Sequence, residues 1–410
     1  MQRILRRHRT GGMAARSAHR EAKMLAAARW PQTVALGPGA GRSAWSGIPG
    51  VARSAAMTGG LGAVLLITRA VSRGVVCHSD PLGPAGLGRG DAAFFVTLSG
   101  GANRGPCDAP FLPFYPFLIR VLTPPCAGRA MAAAIIISCL STVCGLYAVT
   151  MLALFWQGNE KAAHRAAWYA VVSPVSFFLL NGYSEGLFFG LSALCLLSAA
   201  RSRWVWAAVL GALASVTRVW GIFLFPALLV GCVGHREGAS PAEGRWRNVV
   251  TILLVPVAWL TCVLLVGYQS GNPWQVFTVE RVMFHRSLSL PMMGAGAATW
   301  ACFSGDFVLS ALNLDKLLYA YLWLFVIWRG YKRLPLPLFT YLSSGALLLC
   351  IMGPYPLPWW SLDRFLLVLF PAYIVLGQMR WSAAVHRLVL LISFVLMLTQ
   401  WVIFVNGYTG

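Results

Sequence analysis

Ionisable residues are scarce in this chain, so their positions are informative. Asp, Glu, Lys and Arg make up 11% of its 410 residues, against 58% hydrophobic. Two stretches collect them outside the apolar runs: one holds Asp91, Arg104, Asp108 and Arg120, the other Glu280, Arg281, His285 and Arg286. Glu185, Arg218 and Arg364 stand singly at junctions between apolar runs. A carboxylate within about 3 Å of a hydroxyl can take its proton as it attacks an activated carbon. Arginine binds phosphate in a bidentate fashion and stays ionised. Asp91 with Arg120, Arg218, Arg286 and Arg364 therefore has the composition of a general base beside a phosphate leaving group, and Glu185 and His285 suit substrate hydroxyls. Each residue also has a plainer reading. Asp91 is in position to cap a helix, Asp108 to form a turn, and Glu185 and Arg218 to make a structural ion pair. Arg120 and Arg364 can anchor at headgroups, and His285 and Arg286 can belong to a solvated loop.

The frame that must position these groups is too apolar for water. Soluble domains average about 45–50% apolar and about 25% charged residues. Runs near 20 apolar residues, the length that crosses a hydrocarbon layer about 30 Å thick, recur at 59–76, 130–155, 165–181, 184–200, 204–217, 219–234, 248–268, 306–328, 335–352, 363–379 and 387–405. The expected fold is all-α, a polytopic transmembrane bundle of about 11 helices. If neighbouring runs fused into long helices, Glu185 and Arg218 would lie at mid-bilayer, where a charge costs about 2.5–3.5 kcal/mol. Hairpins that lift them to the far interface are expected instead.

The net charge of +21 raises the question of nucleic acid, but its distribution answers it. Ten of the 33 basic residues precede Met57 and most others sit at helix ends, the pattern that sets membrane topology. With the basic tail inside, the inner turns hold Lys161 with Arg165, Arg201 with Arg203, Arg236 with Arg245 and Arg247, Arg329 with Lys332 and Arg333, and Arg380 with Arg387. The outer side then receives the 77–129 loop, the turns at Tyr183 and Arg218, the 269–305 loop and the 354–363 connection. All the candidate site residues fall on that side. Residues 1–56 read as a basic disordered tail or presequence, and 57–410 as the membrane domain. Pro110, Pro113 and Pro116 break helix and predict a re-entrant or interfacial element in the first outer loop. The ten cysteines include no CxxC pair and suggest no metal site. Cys77, Cys107 and Cys126 share the first outer loop, where a disulfide is open in an oxidising compartment. Trp359 and Trp360 read as interfacial belt residues or, more sharply, a sugar-stacking platform. There is no P-loop or Rossmann fingerprint, and no cofactor is expected.

Four fragments, in order, carry a resemblance. They are Gly-Asp-Ala-Ala-Phe-Phe-Val-Thr-Leu-Ser-Gly-Gly at 90–101 followed by Ala-Pro-Phe-Leu-Pro-Phe-Tyr-Pro-Phe-Leu-Ile-Arg at 109–120, Ser-Pro-Val-Ser-Phe-Phe-Leu-Leu-Asn-Gly-Tyr-Ser-Glu at 173–185, Ala-Ser-Val-Thr-Arg at 214–218, and Ser-Leu-Asp-Arg-Phe-Leu-Leu-Val-Leu-Phe-Pro at 361–371. Together they resemble the GPI mannosyltransferase 2 family and its bacterial relatives, members of the GT-C superfamily of membrane glycosyltransferases. Two departures stand out: Gly90 where that family commonly has Trp, and Gly100 with Gly101 where Gly-Tyr is common. The resemblance implies inverting, metal-independent transfer of mannose from a polyprenyl (dolichyl-type) phosphate donor to a glycolipid or glycan acceptor on the lumenal or extracytoplasmic face, with Asp91 as catalytic base. The expected partners are that donor, that acceptor, membrane lipids and a small membrane partner subunit, without nucleic acid. The expected location is a bacterial plasma membrane, or the endoplasmic reticulum membrane for a eukaryotic chain. A lipid or solute transporter and a catalytically inactive membrane subunit are the alternative readings.

Overall fold

The computed structural model describes residues 47–75, 90–102, 104–234, 242–286, 289–303, 307–351, 359 and 361–405. These residues form an all-helical, polytopic membrane protein. In chain order the helices are α1 (Gly47–Val75), α2 (Asp91–Ser99), α3 (Phe114–Leu122), α4 (Ala130–Gln157), α5 (Glu160–Val171), α6 (Ser184–Ala200), α7 (Trp204–Ser215), α8 (Leu224–Gly234), α9 (Ala242–Ile252), α10 (Leu254–Gln269), α11 (Gln275–Val282), α12 (Pro291–Ala301), α13 (Phe307–Gly330), α14 (Leu336–Ile351), α15 (Leu362–Leu367), α16 (Pro371–Gly377) and α17 (Ala383–Val405). Among the described residues, four stretches are long and apolar enough to cross a membrane: Gly50–Thr68, Ala130–Gln157, Gly244–Gln269 and Ala383–Val405. Shorter apolar helices lie among them. Leu388, Leu391, Ile392 and Val395 are exposed along α17, an apolar stripe suited to lipid.

Several expected spans are broken, each for a local reason. Pro256 has no N–H to offer the Ile252 carbonyl, and α9 gives way to α10 there. Pro371 separates α15 from α16 in the same way. The 165–181 run is helical only to Val171, then turns through a 3-10 segment at Ser176–Leu179. The break at 216–218 likewise separates α7 from the 3-10 turn Val219–Phe223. Glu185 and Arg218 stand at these breaks and are enclosed by protein.

The first outer loop folds as two short helices. Nine residues of α-helix span about 14 Å, under half the hydrocarbon thickness, so α2 and α3 are re-entrant or interfacial. Phe95 packs edge-on against Phe111 and Tyr115, and Tyr115 donates to the Ala134 carbonyl of α4 at 3.0 Å. Ser138, which also meets the Tyr115 hydroxyl at 2.8 Å, donates to the Tyr183 carbonyl at 2.9 Å, and Thr142 to that of Leu179 at 2.9 Å. This polar ladder fixes the loop and the start of α6 against α4. The approach is close: a Cβ on Gly190 would run into the Ser141 backbone. On the far side of the bundle, Trp401 of α17 donates to the Leu65 carbonyl of α1 at 3.1 Å within a cluster of Phe177, Phe178, Tyr183 and Phe404.

Helix α1 begins at Gly47, ahead of Met57. Residues 1–46, Cys77, Trp360 and most of the 354–363 connection lie outside the described residues. Cys107 and Cys126 are free thiols. Trp359 is not a belt residue: it is 3% exposed and donates to the Leu349 carbonyl.

Candidate active site

The N-termini of α2, α6 and α15 converge, each bringing a charged residue in its first turn. Asp91 opens α2, Glu185 follows the first residue of α6, and Arg364 is the third residue of α15. Helix N-termini favour the two carboxylates. Arg364 is held there by those carboxylates against the unfavourable dipole. Its Nη2 lies 2.7 Å from Asp91 Oδ2 and its Nε 2.9 Å from Glu185 Oε1. Arg218, from the break after α7, places Nη1 2.8 Å from the same Glu185 oxygen and donates to Ser184 Oγ at 3.0 Å. The result is an alternating chain, Asp91–Arg364–Glu185–Arg218. Glu185 is fully buried, and neither of its oxygens accepts a well-directed hydrogen bond, so its contacts are ion pairs by proximity. Asp91 is the least enclosed of the four, with 21% of its side chain exposed.

Asp91, Arg218 and Arg364 open onto a narrow cleft, which Arg286 and Glu280 close from the α11 side. Arg286 is ion-paired to Glu280. One ring organises the cations: the guanidinium carbons of Arg286, Arg218 and Arg364 stand 4.6, 5.1 and 5.4 Å from the Phe365 centroid. Cation–π attraction of about 0.5–2 kcal/mol each partly offsets the mutual repulsion of three positive charges around one aromatic face. Phe111 and Trp220 complete an apolar wall. The arrangement offers one partly open carboxylate, three arginines with donors to spare, and an aromatic surface.

Gly90 explains why Asp91 is free for this role. Gly90, not Asp91, is the N-cap of α2, and no side chain caps the helix; the Asp91 carboxylate goes to Arg364 instead. Gly90 sits at φ +59°, and a Cβ there would collide with the Tyr183 hydroxyl. A Trp at position 90 has no room in this packing. The aromatic neighbour of the site is Tyr183, whose ring lies 5.4 Å from the Arg364 guanidinium carbon.

The structure brings together Asp91, Glu185, Arg218, Arg286 and Arg364. It leaves two candidate residues outside. Arg120, near the end of α3, is exposed and does not line the cleft, and His285 is exposed in the turn after α11 at φ +52°. Asp108 closes its own turn by accepting from Gly105 N–H at 2.9 Å. Arg104 pins the loop by donating to the Phe111 carbonyl at 2.7 Å. A second charged network, partly buried, escapes the sequence reading: Lys316 Nζ lies 2.9 Å from Asp363 Oδ2 and 3.8 Å from Asp315 Oδ2. The available signal was an Asp-Lys pair inside the apolar run of α13, since ionisable residues within a span warrant attention by default.

No protein-family model and no curated protein matches the sequence. Among solved structures, the crystal structure of ArnT from Cupriavidus metallidurans bound to undecaprenyl phosphate is similar, at 14% identity over 85% of this chain and 77% of that chain, with a TM-score of 0.41.

Proposed function

We propose that this membrane protein is a glycosyltransferase that moves mannose from a polyprenyl phosphate carrier to a hydroxyl of a glycolipid or glycan, at the lumenal or extracytoplasmic face. The observation that carries this reading is the alternating chain Asp91–Arg364–Glu185–Arg218 at the wall of one cleft. The acceptor oxygen attacks the anomeric carbon from the face opposite the phosphate, so the bond to the phosphate oxygen breaks and the configuration inverts. Asp91 takes the acceptor proton on Oδ1, while Arg364 occupies Oδ2 and keeps the carboxylate aimed. The departing polyprenyl phosphate gathers charge, which Arg218, Arg286 and Arg364 neutralise with charge-assisted hydrogen bonds. Glu185 touches neither reactant in this scheme. It is a positioning residue that fixes two arginines at once.

Sequence adds the four fragments that resemble the GPI mannosyltransferase 2 family, and each contributes a charged residue to the cleft or its wall: Asp91, Arg218 and Arg364 line it, and Glu185 lies behind it. The test is donor consumption by purified protein given labelled polyprenyl phosphate mannose and an acceptor mixture. Asp91→Asn should lower turnover per folded molecule by about 10²–10⁴-fold, the usual worth of a general base. Wild-type turnover in that variant removes Asp91 as base. Movement of labelled carrier between leaflets without sugar transfer replaces the enzyme with a transporter.

A further inference from the structure

A second cleft lies at the opposite end of the bundle. Helix α4 connects the two: its Ser138 holds the start of α6, and its Trp156, about 27 Å further along the helix, donates to the Arg333 carbonyl at 2.9 Å. Arg329 at the end of α13, Arg333 before α14, and Gln378 and Arg380 after α16 line a cleft of about 830 Å³. The two loops are tied together, since Arg333 Nη1 donates to the Gln378 carbonyl at 3.4 Å.

Topology alone accounts for arginines on this face, but not for two further features. The three arginines converge from two connections, Arg329 and Arg333 from the one between α13 and α14 and Arg380 from the one after α16, and among the described residues no carboxylate pairs with any of them. Moreover, Arg329 Nε and Gln378 Nε2 are buried without a hydrogen-bond partner, where buried donors are normally satisfied. Burial and the positive charges of Arg329 and Arg380 also hold the Arg333 guanidinium below its ordinary range. The outer site, by contrast, matches its arginines with Asp91, Glu185 and Glu280. Trp328 and Tyr331, next to Arg329 and Arg333 in the chain, are exposed, as aromatic residues at a membrane interface commonly are.

We infer that this cleft binds a phosphate group, with Arg329, Arg333 and Arg380 as its cationic wall and Arg329 Nε and Gln378 Nε2 among the donors. A phospholipid headgroup and free phosphate share that chemistry, and the experiment separates them. The thermal midpoint of the full chain in neutral detergent is titrated with short-chain phosphatidic acid, phosphatidylcholine of the same chain length, or inorganic phosphate. Phosphatidic acid should raise the midpoint saturably. Phosphatidylcholine, whose phosphate is screened by its own cation, should act far more weakly.

The Arg329→Gln/Arg380→Gln variant should weaken the phosphatidic acid response by at least about tenfold in apparent affinity, from the loss of charge-assisted bonds. Arg201→Gln/Arg203→Gln, which removes the same charge from the turn after α6, should keep it. If the first variant does not fold, Arg380→Gln alone changes only an exposed side chain and should give an intermediate loss. Saturation by inorganic phosphate with no added effect of lipid identifies a soluble phosphate as the ligand, and a response to lipid alone identifies the headgroup. Equal losses in the two double variants, or no response to either phosphate species beyond phosphatidylcholine, overturns the inference.

Discussion

Asp363 and Arg364 are neighbours in α15, yet they serve opposite sides of it. Asp363 turns toward α13 and pairs with Lys316 at 2.9 Å, away from the cleft. Arg364 turns into the cleft and links Asp91 to Glu185. Both side chains are almost equally buried, at 8% exposed, and both are ion-paired, so burial and pairing do not distinguish a site from a prop. What differs is the surroundings. The Arg364 network shares a cleft with a partly open carboxylate, two further arginines and an aromatic ring, and neither Lys316 nor Asp363 lines that cleft. A buried ion pair in a membrane bundle is a functional candidate by default. The two faces of α15 show that adjacency to a cleft decides which candidate is worth pursuing.

The largest expected effect breaks the cleft side. Arg364→Gln leaves Asp91 and Glu185 facing each other with only Arg218 near the second, and removing one partner of a buried pair costs about 3–5 kcal/mol. Chemical or thermal unfolding in detergent should show that loss, and transfer activity should vanish at temperatures where the variant remains folded. Lys316→Met should destabilise by a similar amount, because Asp363 is then buried unpaired. Activity per folded molecule should fall far less. If Lys316→Met abolishes activity with little change in stability, the prop is part of the machinery and the comparison fails.

A second experiment sharpens the difference. Replacing a whole buried ion pair with apolar residues of similar volume is often neutral or better. Lys316→Met combined with Asp363→Leu should therefore recover most of the stability lost by Lys316→Met alone, to within about 2 kcal/mol of wild type. It should also recover the activity. The matching treatment of the cleft, Arg364→Met with Glu185→Leu, can restore some stability but no transfer. A smaller effect comes from Arg364→Lys, which keeps the charge but replaces a planar fork with a point charge. Losing one directed, charge-assisted bond is worth about 1.5–3 kcal/mol, so turnover should drop roughly 10–100-fold with the chain still folded.

How much of this was legible beforehand follows the physics of each signal. Apolar run length and loop charge report directly on membrane crossing, and helices occupy the expected runs from 130–155 to 387–405. The breaks were legible where an ionisable residue marked them, as at Glu185 and Arg218, and less so where the cause was a proline, as at Pro256 and Pro371. Chain position could place Asp91, Glu185, Arg218, Arg286 and Arg364 on one face, but not link the first three and Arg364 by contacts under 3 Å or bring Arg286 to the same cleft. That convergence depends on the long-range ladder Tyr115–Ser138–Tyr183, which has no local sequence signature. Gly90 looked like a missing Trp because side-chain space is invisible in sequence; the Tyr183 hydroxyl occupies the place a Cβ would need. Lys316 was hidden by the apolar run around it.

The smallest expected effects concern the two residues that share the outer loops but not the cleft. Arg120 is exposed near the end of α3, and its proposed work, binding phosphate, is already assigned to three arginines that line the cleft. Nothing buried depends on it, so Arg120→Gln should change stability by no more than about 0.5 kcal/mol, as surface substitutions generally do, and turnover by less than about threefold. His285 is likewise exposed, but its neighbour Arg286 is cleft-lining and stacked on Phe365 at 4.6 Å. His285→Gln keeps a polar side chain at the same position and tests the imidazole without disturbing Arg286. Turnover in this variant should change by less than about threefold, since the imidazole does not line the cleft. A tenfold loss in either variant would mean that the cleft closes over the acceptor with these loops, and the division between cleft and surface would have to be redrawn to include them.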